Sequence, residues 1–129
     1  MLGFLGIFGR AESLKSLDRA FREFDVHSRT VPEAVKLAAV RLLQQTPSAT
    51  PKLNDVDYKG VAELLGYAML GHDQFIACNG MSEAQRAQHR LEGAIAAGEG
   101  LDAELILLAL HSGIIHPSIA DRFEIELSD

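Results

Sequence analysis

Histidine and cysteine side chains are the natural metal ligands and nucleophiles of this chain, and their spacing limits what they could do. A zinc site needs three or four nitrogen or sulfur ligands at recognisable spacing. No two histidines are four residues apart, and there is only one cysteine. The spacing therefore predicts neither a metal site nor a bound cofactor. The five histidines are His27, His72, His89, His111 and His116.

Four side chains remain candidates for the polar groups of an interior pocket: His72, Cys78, His111 and His116. His72 continues an apolar helical stripe, which is more typical of a hydrogen-bonded core histidine than of a ligand. Cys78 could act as a nucleophile only with His72 or His111 within hydrogen-bonding distance. His111 closes a helix, where an imidazolium interacts favourably with the helix dipole. The pattern favours structural roles and argues against catalysis.

Two motifs partly match ligand-binding loops but carry unsuitable residues at positions that the ligand would need. Asp55–Gly60 starts like a calcium loop, but Lys59 and Gly66 occupy its fifth and twelfth positions, where oxygen ligands are needed. Gly98–Ala103 matches the glycine pattern of a dinucleotide-binding turn, yet a predicted helix precedes it and Glu99 would repel a phosphate. We expect neither calcium nor nucleotide binding.

Composition and charge are those of an ordinary globular protein. The 129 residues are 47% hydrophobic and 23% charged, and the net charge is -6. This charge opposes binding to a nucleic acid or to an anionic lipid surface. A single cysteine and the apparent lack of a signal peptide or membrane-spanning segment favour a cytoplasmic protein. We expect one helical domain over residues 1–129.

Hydrophobic residues recur at three- and four-residue steps over most of the chain, which predicts about five helices. The first spans Glu12–Phe24, and the second begins with a capping box formed by Thr30 and Glu33. Pro47 and Pro51 interrupt the pattern, since proline lacks an N–H group and disfavours helix before it. We expect the longest loop there.

The third and fourth helices follow this loop. Val61–Ile76 carries the apolar stripe of the third helix, which is either long or broken near Gly71. Ser82 is the expected cap of the fourth helix, whose buried stripe ends in Ala94 and Ile95.

The fifth helix is predicted over Asp102–His111, with Asp102 as its cap and a left-handed stop at Gly113. It is apolar on every side in its middle, so we expect it at the centre of the fold. Pro117 can open a final short turn. The predicted architecture is an all-α, orthogonal or bundle-like arrangement with a short extended C-terminal segment.

Both ends of the chain are apolar and form the candidate interface. Residues 1–10 form an N-terminal arm that we expect to dock in an apolar groove of this chain or of a second copy. Residues 123–129 form a tail with strand-like alternation, whose unpaired edge predicts a homodimer. The interface residues are Leu2, Phe4, Leu5, Ile7, Phe8, Phe123, Ile125 and Leu127.

The sequence favours a non-catalytic protein that acts in protein–protein interaction or regulation and associates with itself. Two other functions remain open. One is a helical domain that binds a small ligand in an interior pocket. The other is a peripheral membrane protein held by residues 2–8, which the scarcity of basic residues beside the apolar arm disfavours.

Overall fold

Seven α-helices form the computed structural model, which describes residues 2–45 and 55–127, with side chains from residue 12 onward in the first range. No strand occurs in these two ranges, and the predicted loop around Pro47 and Pro51 lies outside them. The all-α prediction is confirmed. The helices are α1 (Leu2–Glu23), α2 (Glu33–Gln45), α3 (Asp55–Leu70), α4 (His72–Asn79), α5 (Met81–Ala97), α6 (Leu101–His111) and α7 (Pro117–Arg122), with a short 3-10 helix at Ser28–Thr30.

The helix count is seven instead of about five for two reasons. Gly71 adopts φ 89° and ψ 162°, a conformation open mainly to glycine, and it divides the third predicted helix into α3 and α4. Pro117 opens a complete short helix, α7, where we expected only a turn. The first helix begins at Leu2 instead of Glu12, so the predicted N-terminal arm is part of α1.

The predicted side-chain caps of α5 and α6 are wrong. Gly80 and Gly100 occupy the cap positions with φ near +95°, and neither helix has a side-chain cap hydrogen bond. Asp102 lies inside the first turn of α6, where Arg90 binds its carboxylate. The Thr30 hydroxyl donates to the carbonyl of His27 within the 3-10 helix.

Gly98 ends α5 in the left-handed conformation, and three further helices end in a shared motif built on a residue with positive φ: Asp25 after α1, Gly113 after α6 and Glu124 after α7. In each case the next N–H group bonds to a carbonyl five residues earlier, which satisfies an otherwise free carbonyl. The stop predicted at Gly113 is confirmed. The extended C-terminal segment is not confirmed, because the third of these motifs turns the chain back at Ile125.

The core forms where α1 packs along α3. Tyr58 Oη donates to Ser13 Oγ near the start of α3, and Gly66 further along packs against Phe24 and Val26. The earlier contact on α3 is with Ser13 of α1, and the later one is with Phe24 and Val26, which follow the end of α1, so α1 and α3 run in the same direction. The largest side chains that are fully enclosed come from several helices: Tyr67, Phe21, Phe75, Leu17, Leu64, Leu65, Leu91, Leu105 and Ile119.

Helices α5 and α6 form a hairpin through the turn at Gly98–Gly100. Leu105 and Ala109 of α6 are fully buried, but Leu107 is 49% exposed, so α6 is only partly enclosed. Ile95 of α5, predicted to be buried, is 47% exposed. Ala94 precedes Ile95 directly, and adjacent helical residues point about 100° apart, so only Ala94 faces the core.

Candidate functional site

His72, the first predicted pocket residue, is hydrogen-bonded to Tyr67. The Oη atom of Tyr67 lies 2.7 Å from Nδ1 of His72, and Tyr67 is fully buried. The rings of Phe75 and Phe123 pack edge-on against Tyr67, with centroids 5.4 and 6.2 Å away. Burial lowers the pKa of His72 and raises the pKa of Tyr67. Both shifts favour the neutral form of the group, and the hydrogen bond gives each side chain a partner.

His116, another predicted pocket residue, packs beside Gly71. Its N–H group donates to the carbonyl of Ala68 at 2.8 Å, and its Nδ1 atom accepts from the N–H group of Ser118 at 3.1 Å. A Cβ atom at Gly71 would lie 3.0 Å from His116 Nδ1 and 2.7 Å from Ser118 Oγ. The imidazole thus caps α7 and packs it against the break between α3 and α4.

Cys78 and His111 do not join this cluster. Cys78 is half-buried and accepts a hydrogen bond from Gln74, while His111 is exposed at the end of α6. No hydrogen bond connects either of them to His72 in the described ranges. Four surface cavities lined by described residues have volumes of about 190 to 400 Å³, and none of those four is lined by any predicted pocket residue.

Neither a metal site nor a membrane span is found in the described part of the chain. No three metal-binding side chains come together among residues 2–45 and 55–127. None of the helices in those ranges is long and apolar enough to cross a bilayer.

A partly buried ionic network joins α3, α5 and α6, and no local sequence pattern predicts it. The guanidinium of Arg90 donates to both carboxylate oxygens of Asp102, at 2.8 and 3.2 Å, and to Glu63 Oε1 at 3.3 Å. It also donates to the carbonyl of Gly60 at 2.6 Å. Burial by itself would lower the pKa of Arg90, but Asp102 and Glu63 raise it above its usual value. Arg90 therefore holds three helices together as a permanent cation.

Glu63 is the most buried carboxylate of this network. Its side chain is 6% exposed, and burial raises its pKa although Arg90 opposes the shift. Arg86 Nη1 lies 3.8 Å from Glu63 Oε2 and 3.6 Å from Glu83 Oε2. Oε2 of Glu83 is buried without a hydrogen-bond partner. The interaction with Glu83 raises the pKa of Glu63 further.

An apolar groove of about 190 Å³ lies between α5 and α6, beside this network. Its lining contains no polar side chain and consists of Ala94, Ile95, Gly98, Ala103, Ile106 and Leu107. Ile95 and Leu107 are two of the five large hydrophobic side chains that are exposed among the described residues. Glu99 and Glu104 are exposed and directly follow the lining residues Gly98 and Ala103 in the chain. The groove therefore combines an apolar surface with an acidic border.

The predicted interface residues have different environments. The side chains of Leu2, Phe4, Leu5, Ile7 and Phe8 lie outside the described residues. Phe123 and Ile125 are half-buried against the core, and the Ile125 N–H group bonds to the carbonyl of Ala120 at 2.8 Å. Leu127 is 45% exposed. The predicted strand edge is thus partly used within the chain.

Comparisons with protein-family models, with curated proteins and with solved structures return no match to this chain.

Proposed function

We propose that this chain is a non-catalytic protein-interaction or regulatory domain, and that the groove between α5 and α6 is its docking surface. The observation that carries the proposal is the exposed side of α6. This helix is apolar on every side in its middle, yet Leu107 is 49% exposed, beside Ile95 of α5, which is 47% exposed. An apolar surface of this kind, bordered by charges, is typical of sites that bind another protein.

The size and the rigidity of the groove favour a protein over a small molecule. Its volume of about 190 Å³ is below the roughly 300–1,000 Å³ of most small-molecule pockets. Arg90 binds Asp102 of α6 from α5, so both walls are held in place before a partner arrives. A preformed groove binds at a lower entropic cost than a flexible one. Side chains on one face of a helix are the natural occupants of such a groove.

The experiment is capture of partners from the native cell extract with three full-length baits. The baits are the wild type, the groove variant Ile95→Asp/Leu107→Asp, and the control Met81→Asp. Met81 is 55% exposed at the opposite end of α5, so the control adds the same charge away from the groove. We expect one protein in near-stoichiometric amount, either this chain or another, with the wild type and the control only. Equal capture by the groove variant would contradict the proposal.

A further inference from the structure

The start of α1 extends beyond the helix on which α1 packs. Ser13 of α1 contacts Tyr58, three residues after the first residue of α3, whereas α1 begins eleven residues before Ser13. Because the two helices run in the same direction, about eight residues of α1 lie past the start of α3. At 1.5 Å per residue this extension is roughly 12 Å long.

The composition of this extension complements the groove. Residues 2–10 contain five large apolar side chains and Arg10, and no acidic residue occurs before Glu12. The groove has an apolar lining, and the exposed carboxylates at its border are those of Glu99 and Glu104. The same contrast exists along the chain: residues 1–41 carry seven basic and five acidic residues, and residues 42–129 carry five and thirteen. Opposite charges of this kind orient two copies with respect to each other.

The packing of α1 within its own chain favours the groove of a second copy. The helix is uninterrupted from Leu2 to Glu23, and its second half is held in the core by Leu17 and Phe21, which are fully buried. In the described part of the chain, α1 packs mainly against α2 and α3, and neither α5 nor α6 is among its main partners.

We propose that residues 2–10 of one copy dock in the α5–α6 groove of a second copy, with Arg10 beside Glu99 and Glu104. This inference rests on the proposed function and names its partner as the chain itself. Reciprocal docking between two copies closes a dimer, whereas one-way docking continues from copy to copy.

The first test is the mass of the full-length chain in solution at tens of micromolar, measured by sedimentation equilibrium. We expect twice the monomer mass of 14.0 kDa or a larger multiple. Ile95→Asp/Leu107→Asp should weaken association about tenfold or more, because the partner's apolar side chains would then meet a charge, and Met81→Asp should not. Glu99→Lys/Glu104→Lys should also weaken it, and adding Arg10→Glu should restore it. This charge exchange leaves the core intact, so it reports on docking even if the Asp variants unfold.

The second test is disulfide formation between two differently tagged full-length copies, both with Cys78→Ser. One copy carries Phe8→Cys and the other Leu107→Cys. A disulfide between the two tags is expected. A monomer in the first test, or the absence of a disulfide between the two tagged copies in the second, would overturn the inference. Binding of the wild type to neutral vesicles, lost on deletion of residues 2–10, would also overturn it.

These results separate the inference from the proposed function. If the chain is monomeric but its groove variant loses a captured protein, the self-docking inference fails and the docking function stands. If the groove variant captures and associates as the wild type does, both fail.

Discussion

The hydroxyl of Tyr67 and Nδ1 of His72 lie 2.7 Å apart across the break between α3 and α4. Because Tyr67 is fully buried, this hydrogen bond provides a partner for a hydroxyl that would otherwise be costly to bury. It also places His72 at the first position of α4, directly after Gly71. The pair therefore connects the two halves of what the sequence predicts as one long stripe.

Tyr67→Phe removes the hydroxyl and keeps the ring packing against Phe75. We expect the free energy of unfolding to fall by about 0.5–1.5 kcal/mol, the net value of one hydrogen bond. Chemical denaturation with urea measures it. Tyr58→Phe is a useful comparison, since it removes the hydrogen bond to Ser13 without affecting the break at Gly71. A loss well above this range for Tyr67→Phe would mean that the hydroxyl also organises α4.

His72→Gln tests the pH dependence that follows from the lowered pKa of His72. The unfolded state, with a pKa near 6.5, takes up a proton before the folded state does. The contribution of neutral His72 is thus present above pH 6.5 and is lost as the pH falls from there through the folded pKa. The stability of the wild type relative to His72→Gln should decline over that window. The reverse slope would show that the folded protein stabilises the imidazolium.

The sequence predicts what depends on local spacing and misses what depends on contacts between distant residues. Gly113 and the break at Gly71 are predictable because their signals lie within one or two helical turns. Arg90 binds Glu63 and Asp102 from 27 and 12 residues away, and no periodicity marks such a pair. Asp102 is an example. Its position predicts a helix cap, but its carboxylate accepts hydrogen bonds from Arg90 instead.

The groove between α5 and α6 is not predictable from the sequence, because its exposed residues are hydrophobic and such residues are expected to be buried. An apolar helix such as α6 predicts burial on all sides, since nothing in the pattern says which neighbours are present. Leu107 is exposed because α2, α3 and α5 cover only part of α6. The mismatch between apolar composition and exposure becomes visible only with the fold, and the proposed docking surface rests on it.

Glu63→Gln tests whether the buried carboxylate costs stability when it is ionised. Burial raises the pKa of Glu63 from 4.5, so the folded state holds its proton more tightly than the unfolded state. That contribution is full below pH 4.5 and is lost as the pH rises through the folded pKa. The glutamine amide can bind Arg90 with its oxygen and donate to Oε2 of Glu83. We expect the variant to be as stable as the wild type or more stable at pH 7.

The matched control for this prediction is Glu63→Ala, which leaves part of the network without a partner. It should lower the free energy of unfolding by about 1–3 kcal/mol. Thermal unfolding between pH 4 and pH 8 compares the three proteins. A loss at pH 7 for Glu63→Gln as large as that for Glu63→Ala would show that the charge of Glu63 is stabilising.

Gly71→Ala and Gly80→Ala form a pair that isolates the packing of α7. Their backbones are almost identical, with φ 89° and 94° and ψ 162° in both, so the conformational cost of a side chain is the same, about 1–3 kcal/mol. A Cβ atom at Gly80 meets nothing within 4 Å, whereas at Gly71 it meets Ser118 and His116. Gly71→Ala should cost roughly 1–3 kcal/mol more than Gly80→Ala. If both variants lose the same free energy of unfolding in urea, α7 shifts to accommodate the added Cβ atom at no measurable cost.

Glu124→Gly should stabilise the protein, because Glu124 has φ 54° and a side chain disfavours this conformation. Relief of that strain, less the extra entropy of glycine in the unfolded chain, should raise the free energy of unfolding by about 0.5–1 kcal/mol. The gain also depends on the hydrogen bond from Ile125 to Ala120, which requires the left-handed turn.

Glu126→Gly is the matched control, since it removes the same charge at a described position without a positive φ. Its melting temperature should stay unchanged or fall, whereas that of Glu124→Gly should rise by a few degrees. An equal rise in both variants would assign the effect to lost negative charge.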